Sequence, residues 1–218
     1  MNRAGCSVFV FALAMTTLAP GAAAQEPEKE PIGGFAVDAR VALPRFPDDP
    51  PTVTALAVTA ENMPTRGLGL AAGVHVYPAR KGRVALGIGA EWLVSRGSKT
   101  LDAEEEGGVS GPTVKTSFSA LSPQVSLNFG GRDGWSYLSG GIGWVKFTTE
   151  LELAPVADAP GRTRAINYGG GARWFAKEHV AFTFDLRFYR IDAQDAITGR
   201  PAYDGRRLMV FSAGISLK

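Results

Sequence analysis

The sequence is poor in the residues that most often carry chemistry. Its 218 residues include one cysteine and two histidines. One cysteine excludes an internal disulfide framework and any multi-cysteine zinc or iron–sulfur site. An excess of charge of one sign is also missing. Lys and Arg number 23 against 21 Asp and Glu, a formal net charge of +2, which gives no general attraction to nucleic acid. No apolar run reaches the ~20 residues of a membrane-spanning helix. Past residue 34 no convincing helical period is found. A hydrophobic content of 45% excludes a disordered chain.

What is present starts with an address. Residues 1–24 combine Arg3, an apolar stretch from Ser7 to Leu18 and the small residues Ala22, Ala23 and Ala24 before Gln25. That is the pattern of a cleavable secretory signal peptide. Cleavage there leaves 194 residues with 22 basic and 21 acidic side chains and no cysteine. An exported chain without disulfides must gain its rigidity elsewhere. Residues 25–33 are charged and contain proline, as in an extended linker, and 34–218 form the remaining domain.

Within that domain the dominant signal is alternation with a period of two, which predicts strands. From Val180 to Phe188 the even positions are Val, Phe, Phe, Leu and Phe, and the odd ones between them are Ala, Thr, Asp and Arg. A helix would bring Asp185 onto the face of Phe182 and Phe188, whereas a strand separates the two sets. Eight such segments are expected, near 34–44, 67–77, 83–95, 118–129, 135–147, 165–175, 180–190 and 207–217. Short turns follow the second, fourth and sixth. Long polar loops, near 45–66, 96–117, 148–164 and 191–206, follow the first, third, fifth and seventh. The chain therefore runs up and down, with short turns at one end and long loops at the other.

Two closures suit this pattern: a lipocalin-like barrel with its apolar face inward, and a transmembrane barrel with its apolar face outward. Three features favour the second. The polar faces carry mainly Gly, Ala and Ser, which suit a narrow lumen. Large aromatics lie toward the ends of the apolar faces, with Phe35, Phe129 and Trp174 at the short-turn end and Trp92, Trp144 and Phe188 at the other, as in interfacial girdles. The strand charges sit on the polar face and balance: Asp38, Glu91 and Asp185 against Arg40, Arg173 and Arg187. In a narrow lumen, equal numbers of each sign suggest a paired network.

With these features, and segments such as WSYLSGGIGW (135–144), INYGGGARWF (166–175) and VFSAGISLK (210–218), the chain resembles the small eight-stranded outer-membrane barrels of the OmpA/OmpX type. The resemblance covers 34–218 and implies an all-β, antiparallel, up-and-down transmembrane β-barrel in a bacterial outer membrane. It implies membrane lipids and lipopolysaccharide as surroundings, the barrel-assembly machinery as a partner during biogenesis, and a monomeric state. The chain departs from the family at its end, Ile215-Ser216-Leu217-Lys218, where such barrels often carry a terminal aromatic.

The function expected is a structural or surface-interaction role through the long loops. The alternatives are a narrow channel for ions or small solutes, a lipid-modifying enzyme, and a soluble periplasmic lipocalin-like binder. The enzyme is disfavoured because neither His75 nor His179 is expected at the long-loop end, and no Ser-His-acid set assembles there. The glycine strings, such as Gly169-Gly170-Gly171, do not open a helix after a strand, so they are no dinucleotide fingerprint. The run Asp102, Glu104, Glu105, Glu106 lacks the positional pattern of a calcium loop. No metal or cofactor is expected.

Overall fold

The structure, a computed structural model, describes residues 31–47, 50–101, 111–152, 161–196, 202 and 205–218. The signal segment 1–24, most of the 25–33 linker and the acidic run at 102–106 lie outside the described residues. Eight antiparallel strands close into one barrel. They are β1 (Phe35–Arg45), β2 (Leu68–Lys81), β3 (Val84–Thr100), β4 (Thr113–Gly131), β5 (Gly134–Leu151), β6 (Thr163–Phe175), β7 (Val180–Ile191) and β8 (Arg206–Leu217). All eight expected segments are strands, and β1 pairs with both β2 and β8.

Cross-strand partners followed once round the barrel from Arg45 lead through Met209, Phe188, Tyr168, Gly140, Val125, Ile88 and Val76. They return to Phe35, ten residues back along β1. With a shear of ten on eight strands, the strands tilt by about 40° to the barrel axis. The alternation then sorts side chains by face. On β1, Ala36, Asp38, Arg40 and Ala42 point inward and are buried, whereas Phe35, Val37, Val41 and Leu43 point outward.

The short turns are tight. Lys81 pairs with Val84, leaving a two-residue loop in which Gly82 has φ +56°, the left-handed value that glycine accepts without steric cost. Gly131 pairs with Gly134 across Arg132 and Asp133. Near the base of β2 the register with β3 shifts between Val76 and Ala79. Pro78 falls inside this irregularity, where a residue without an N–H is tolerated.

At the long-loop end the strands outrun the expected boundaries. β3 continues to Thr100, β4 begins at Thr113 and β5 continues to Leu151. Beyond Arg96 the outer part of β3 pairs with β4 alone, and β5 beyond Val145 likewise. A three-stranded wall thus rises above the rest of the rim. The loop after β1 contains a short helix, α1 (Pro50–Ala55), and a single 3₁₀ turn at Ala60–Asn62. Neither shows an apolar period that could have announced it.

Candidate functional site

The lumen is layered. At the short-turn end Ile32, Ala36, Tyr77, Ala85, Trp135 and Tyr137 form an apolar layer, with Phe175 packed against it. Tyr77 meets Trp135 edge-on at 5.9 Å, and Trp135 lies 5.0 Å from Phe175. At the long-loop end a second layer gathers Phe46, Leu93, Phe118, Tyr189, Ile191 and Leu208 among others, with Phe147 against it. Phe118 contacts Tyr189 edge-on at 5.2 Å. Phe46 enters from the loop just after β1.

Between the layers lie the six charges expected from the sequence, all buried. They form two linked groups. In the lower group Arg173 grips Asp38 with two parallel bonds, Nε to Oδ1 at 3.0 Å and Nη2 to Oδ2 at 2.6 Å. Ser216 also donates to Asp38. In the upper group Arg40 pairs with Glu91, and its Nη1 lies 3.4 Å from Asp185. Arg187 reaches Glu91 at 3.1 Å and Asp185 at 3.0 Å. It also donates to Asn167 and Ser139, each at 2.9 Å. Guanidinium forks satisfying carboxylates in this manner are the strong form of the ion pair.

Two tyrosines that alternation placed on the polar face complete the network. Tyr137 donates to Asp185 Oδ2 at 2.8 Å, and the Arg173 guanidinium carbon lies 4.4 Å from its ring centre. It thereby joins the lower group to the upper. Tyr189 donates to Glu91 Oε1 at 3.0 Å from the layer above. The sequence identified the ionic members and missed these links. Their signal was available: Tyr137 and Tyr189 share the inward parity of Arg173, Asp185 and Arg187.

Glycine makes room for the charges. A Cβ added at Gly73 would meet Asp38 Oδ2 at 3.3 Å, and one at Gly171 would meet Tyr137 Oη at 2.6 Å. His75 is buried in the lumen with Nδ1 3.8 Å from Asp38 Oδ2, beyond hydrogen-bond range. Both its ring nitrogens, and both amide atoms of Gln124, lack a hydrogen-bond partner among the described residues. His179 lies in the turn before β7, where its carbonyl accepts from the Lys218 N–H. The two histidines therefore occupy separate places, and neither is at the long-loop end.

Between the two rims the outward face of the strands is apolar. Of the six girdle aromatics, Phe35, Trp92, Phe129, Trp144 and Trp174 are exposed. Phe188 is half-buried, because it stacks on Tyr168 at 5.6 Å. A soluble lipocalin-like barrel required Trp92, Trp144 and Trp174 inside. They are 50%, 53% and 58% exposed, while the charges are inside, so that alternative is overturned.

No protein-family model matches the sequence, and no curated protein matches it. Among solved structures, the chain is similar to Neisserial surface protein A at 12% identity and a TM-score of 0.55, covering 85% of this chain and 97% of that one. The outer membrane protein OprG from Pseudomonas aeruginosa gives 11% identity and a TM-score of 0.46 over 88% and 98%. The attachment invasion locus protein Ail of Yersinia pestis gives 12% and 0.41 over 85% and 98%. What is shared is the fold, that of a small eight-stranded outer-membrane β-barrel, and the outward apolar surface suits that setting.

Proposed function

We propose that the chain is a non-enzymatic integral outer-membrane barrel of the OmpA/OmpX type that acts as a monomer, in a structural or surface-interaction role, through its long-loop end. Rigidity comes from closure, which pairs every strand edge within the barrel wall, in place of disulfides. The observation that carries the reading is the layered lumen. Two apolar layers, each containing packed aromatic rings, close the interior on either side of a neutral, cross-linked polar middle. Such an interior resembles a filled core more than a pore. Function is thereby left to the rim, where the β3–β5 wall and the loops between long strands stand on a rigid base.

Bilayer conductance tests this directly. The purified, folded barrel is expected to give no discrete openings. Steady unitary conductance that changes on Arg187→Ala would overturn the sealed-lumen reading in favour of a narrow channel.

A further inference from the structure

We propose that the barrel wall carries, just outside its apolar belt at the long-loop end, a ring of cations that holds the phosphate-bearing headgroups of lipids in the facing leaflet. The proposal rests on the transmembrane reading above. On β7 the outward side chains are Val180, Phe182, Phe184, Leu186 and Phe188, followed by Arg190. Those ten residues of tilted strand rise about 25 Å, the height of a barrel's hydrocarbon belt. Arg190 therefore stands where hydrocarbon gives way to headgroups.

Its neighbours make this a ring. Arg190 is the direct cross-strand partner of Arg207 on β8. On the other side its partner is Ile166, and Arg164 lies two residues above that on β6. The partner of Arg164 is Trp144, with Lys146 two residues above it on β5. From Arg207 the level drops two residues to Met209, the partner of Arg45, and Arg45 in turn faces Arg66. Arg66 is two residues above Leu68, the partner of Arg96. Arg96 faces Ser117, which lies two residues above the partner of Lys146 on β4. These five two-residue steps make up the ten-residue shear. The circuit closes on itself at one height, with a cation on six of the eight strands and a seventh, Arg66, in the bridge just before β2.

This ring carries a cost that an anion would relieve. Like charges directly opposite each other across a strand pair repel, and here two such pairs occur, Arg190 with Arg207 and Arg45 with Arg66. All four side chains are exposed. None has an ion-pair partner among the described residues. Among the described carboxylates of this rim, Glu152 pairs with Lys115 above the ring, and Glu61, Glu150 and Asp192 make no ion pair with the ring among the described residues. The other end is different. There five outward strand ends are apolar (Phe35, Val84, Phe129, Val180 and Leu217), β2 alone of the described strand ends there finishes on an outward cation, Lys81, and Arg83, Arg132 and Lys177 sit in the turns.

The occupant is an amphiphile because of position. An anion on this ring has Phe188, Ile166 and Leu43 immediately below it, which acyl chains would cover. Phosphate suits the guanidinium forks in both charge and geometry. A leaflet rich in phosphorylated lipid on the long-loop side meets both conditions.

The test uses the full folded protein in non-ionic detergent, titrated with diphosphorylated lipid A, with the same lipid stripped of phosphate, and with inorganic phosphate. Native mass spectrometry reads the binding. Preference for the phosphorylated lipid is expected, weakened about tenfold by Arg190→Gln with Arg207→Gln, on the order of one charge-assisted hydrogen bond. Arg45→Gln with Arg66→Gln should act alike, and Arg83→Gln with Lys177→Gln, at the opposite end, should leave binding intact. Arg190→Lys with Arg207→Lys, which keeps the charge, should retain part of the affinity and guards against a folding defect.

Equal binding of the stripped lipid would overturn the ring, as would full competition by inorganic phosphate. Wild-type affinity in the ring variants, or equal loss in the opposite-end variant, would do so too. Unheated gel mobility separates the two levels. A wild-type chain without a heat-modifiable band fails as a membrane barrel. A heat-modifiable barrel without phosphate preference loses only the ring.

Discussion

Asp38 depends on Arg173. Its carboxylate takes both arms of that guanidinium, and the imidazole of His75, the other basic side chain within 4 Å among the described residues, stands at 3.8 Å, beyond hydrogen-bond range. Removing the carboxylate leaves a buried arginine without its counter-charge, which costs about 3–5 kcal/mol. Asp38→Ala is therefore expected to lower the unfolding free energy of the vesicle-reconstituted barrel, read from urea titration, by that much. Adding Arg173→Met should restore most of the loss, since a buried pair replaced whole by apolar groups is often neutral. A single variant as stable as wild type would show that the pair is dispensable. The exposed pair Lys115–Glu152 gives the contrast. There the ammonium holds the Glu152 carboxyl below the usual carboxylate range, by hydrogen bond and charge. Any stabilisation is present above the ordinary carboxylate pKa and fades as pH falls through the lowered one. Solvent screening is expected to make Lys115→Ala indistinguishable from wild type. The sequence disclosed the six buried charges because ionic residues on a strand's small-residue face are conspicuous. It did not disclose that Tyr137 and Tyr189 tie them together, because a tyrosine is at home on either face.

Strands were legible wherever the two faces differ in polarity, and illegible where they do not. In the outer parts of β3, β4 and β5 both parities are polar (Ser98, Lys99 and Thr100; Lys115 and Thr116; Thr148 and Thr149), so alternation vanishes although the backbone continues to pair. The inner apolar layers were hidden for a related reason: Trp135 and Phe118 lie at segment ends, where the contrast with the outward face fades. Glycine on the inward face was read as space-saving, and β6 makes this testable. Gly171 leaves room for the Tyr137 hydroxyl, which an added Cβ would meet at 2.6 Å. Gly171→Ala must shift both the Phe184 backbone carbonyl, which the added Cβ would meet first, and the side chain that links the two charge groups, an overpacking of about 1–3 kcal/mol. Gly161, just before β6, has nothing within 4 Å of an added Cβ, and Gly161→Ala should change stability by less than about 0.5 kcal/mol. Unfolding midpoints in vesicles separate the two. Equal midpoints would mean that the lumen accommodates a Cβ at Gly171 without cost and that the glycine is not there to save space.

At the scale of the molecule, inversion is the defining property: charge inside, hydrocarbon surface outside. It follows from parity alone, because a period of two with one apolar face admits only two closures, and the small residues opposite that face leave room for a narrow lumen and little else. Length then sets the setting, since about 25 Å of apolar strand matches a hydrocarbon belt and has no use in water. The four tryptophans report this arrangement. Trp92, Trp144 and Trp174 face outward, and Trp135 is buried in the lower lumen layer. In vesicles containing brominated acyl chains, the wild-type emission should be quenched strongly. A variant with Trp92→Phe, Trp144→Phe and Trp174→Phe keeps only Trp135, which the barrel wall separates from lipid, and its emission should be nearly unaffected. The substituted residues sit on the lipid face, where phenylalanine is equally at home, so the variant should fold and keep its heat-modifiable mobility. Strong quenching of Trp135 alone, or none of the wild type, would mean that the apolar face does not meet lipid, and the inside-out assignment would fall with it.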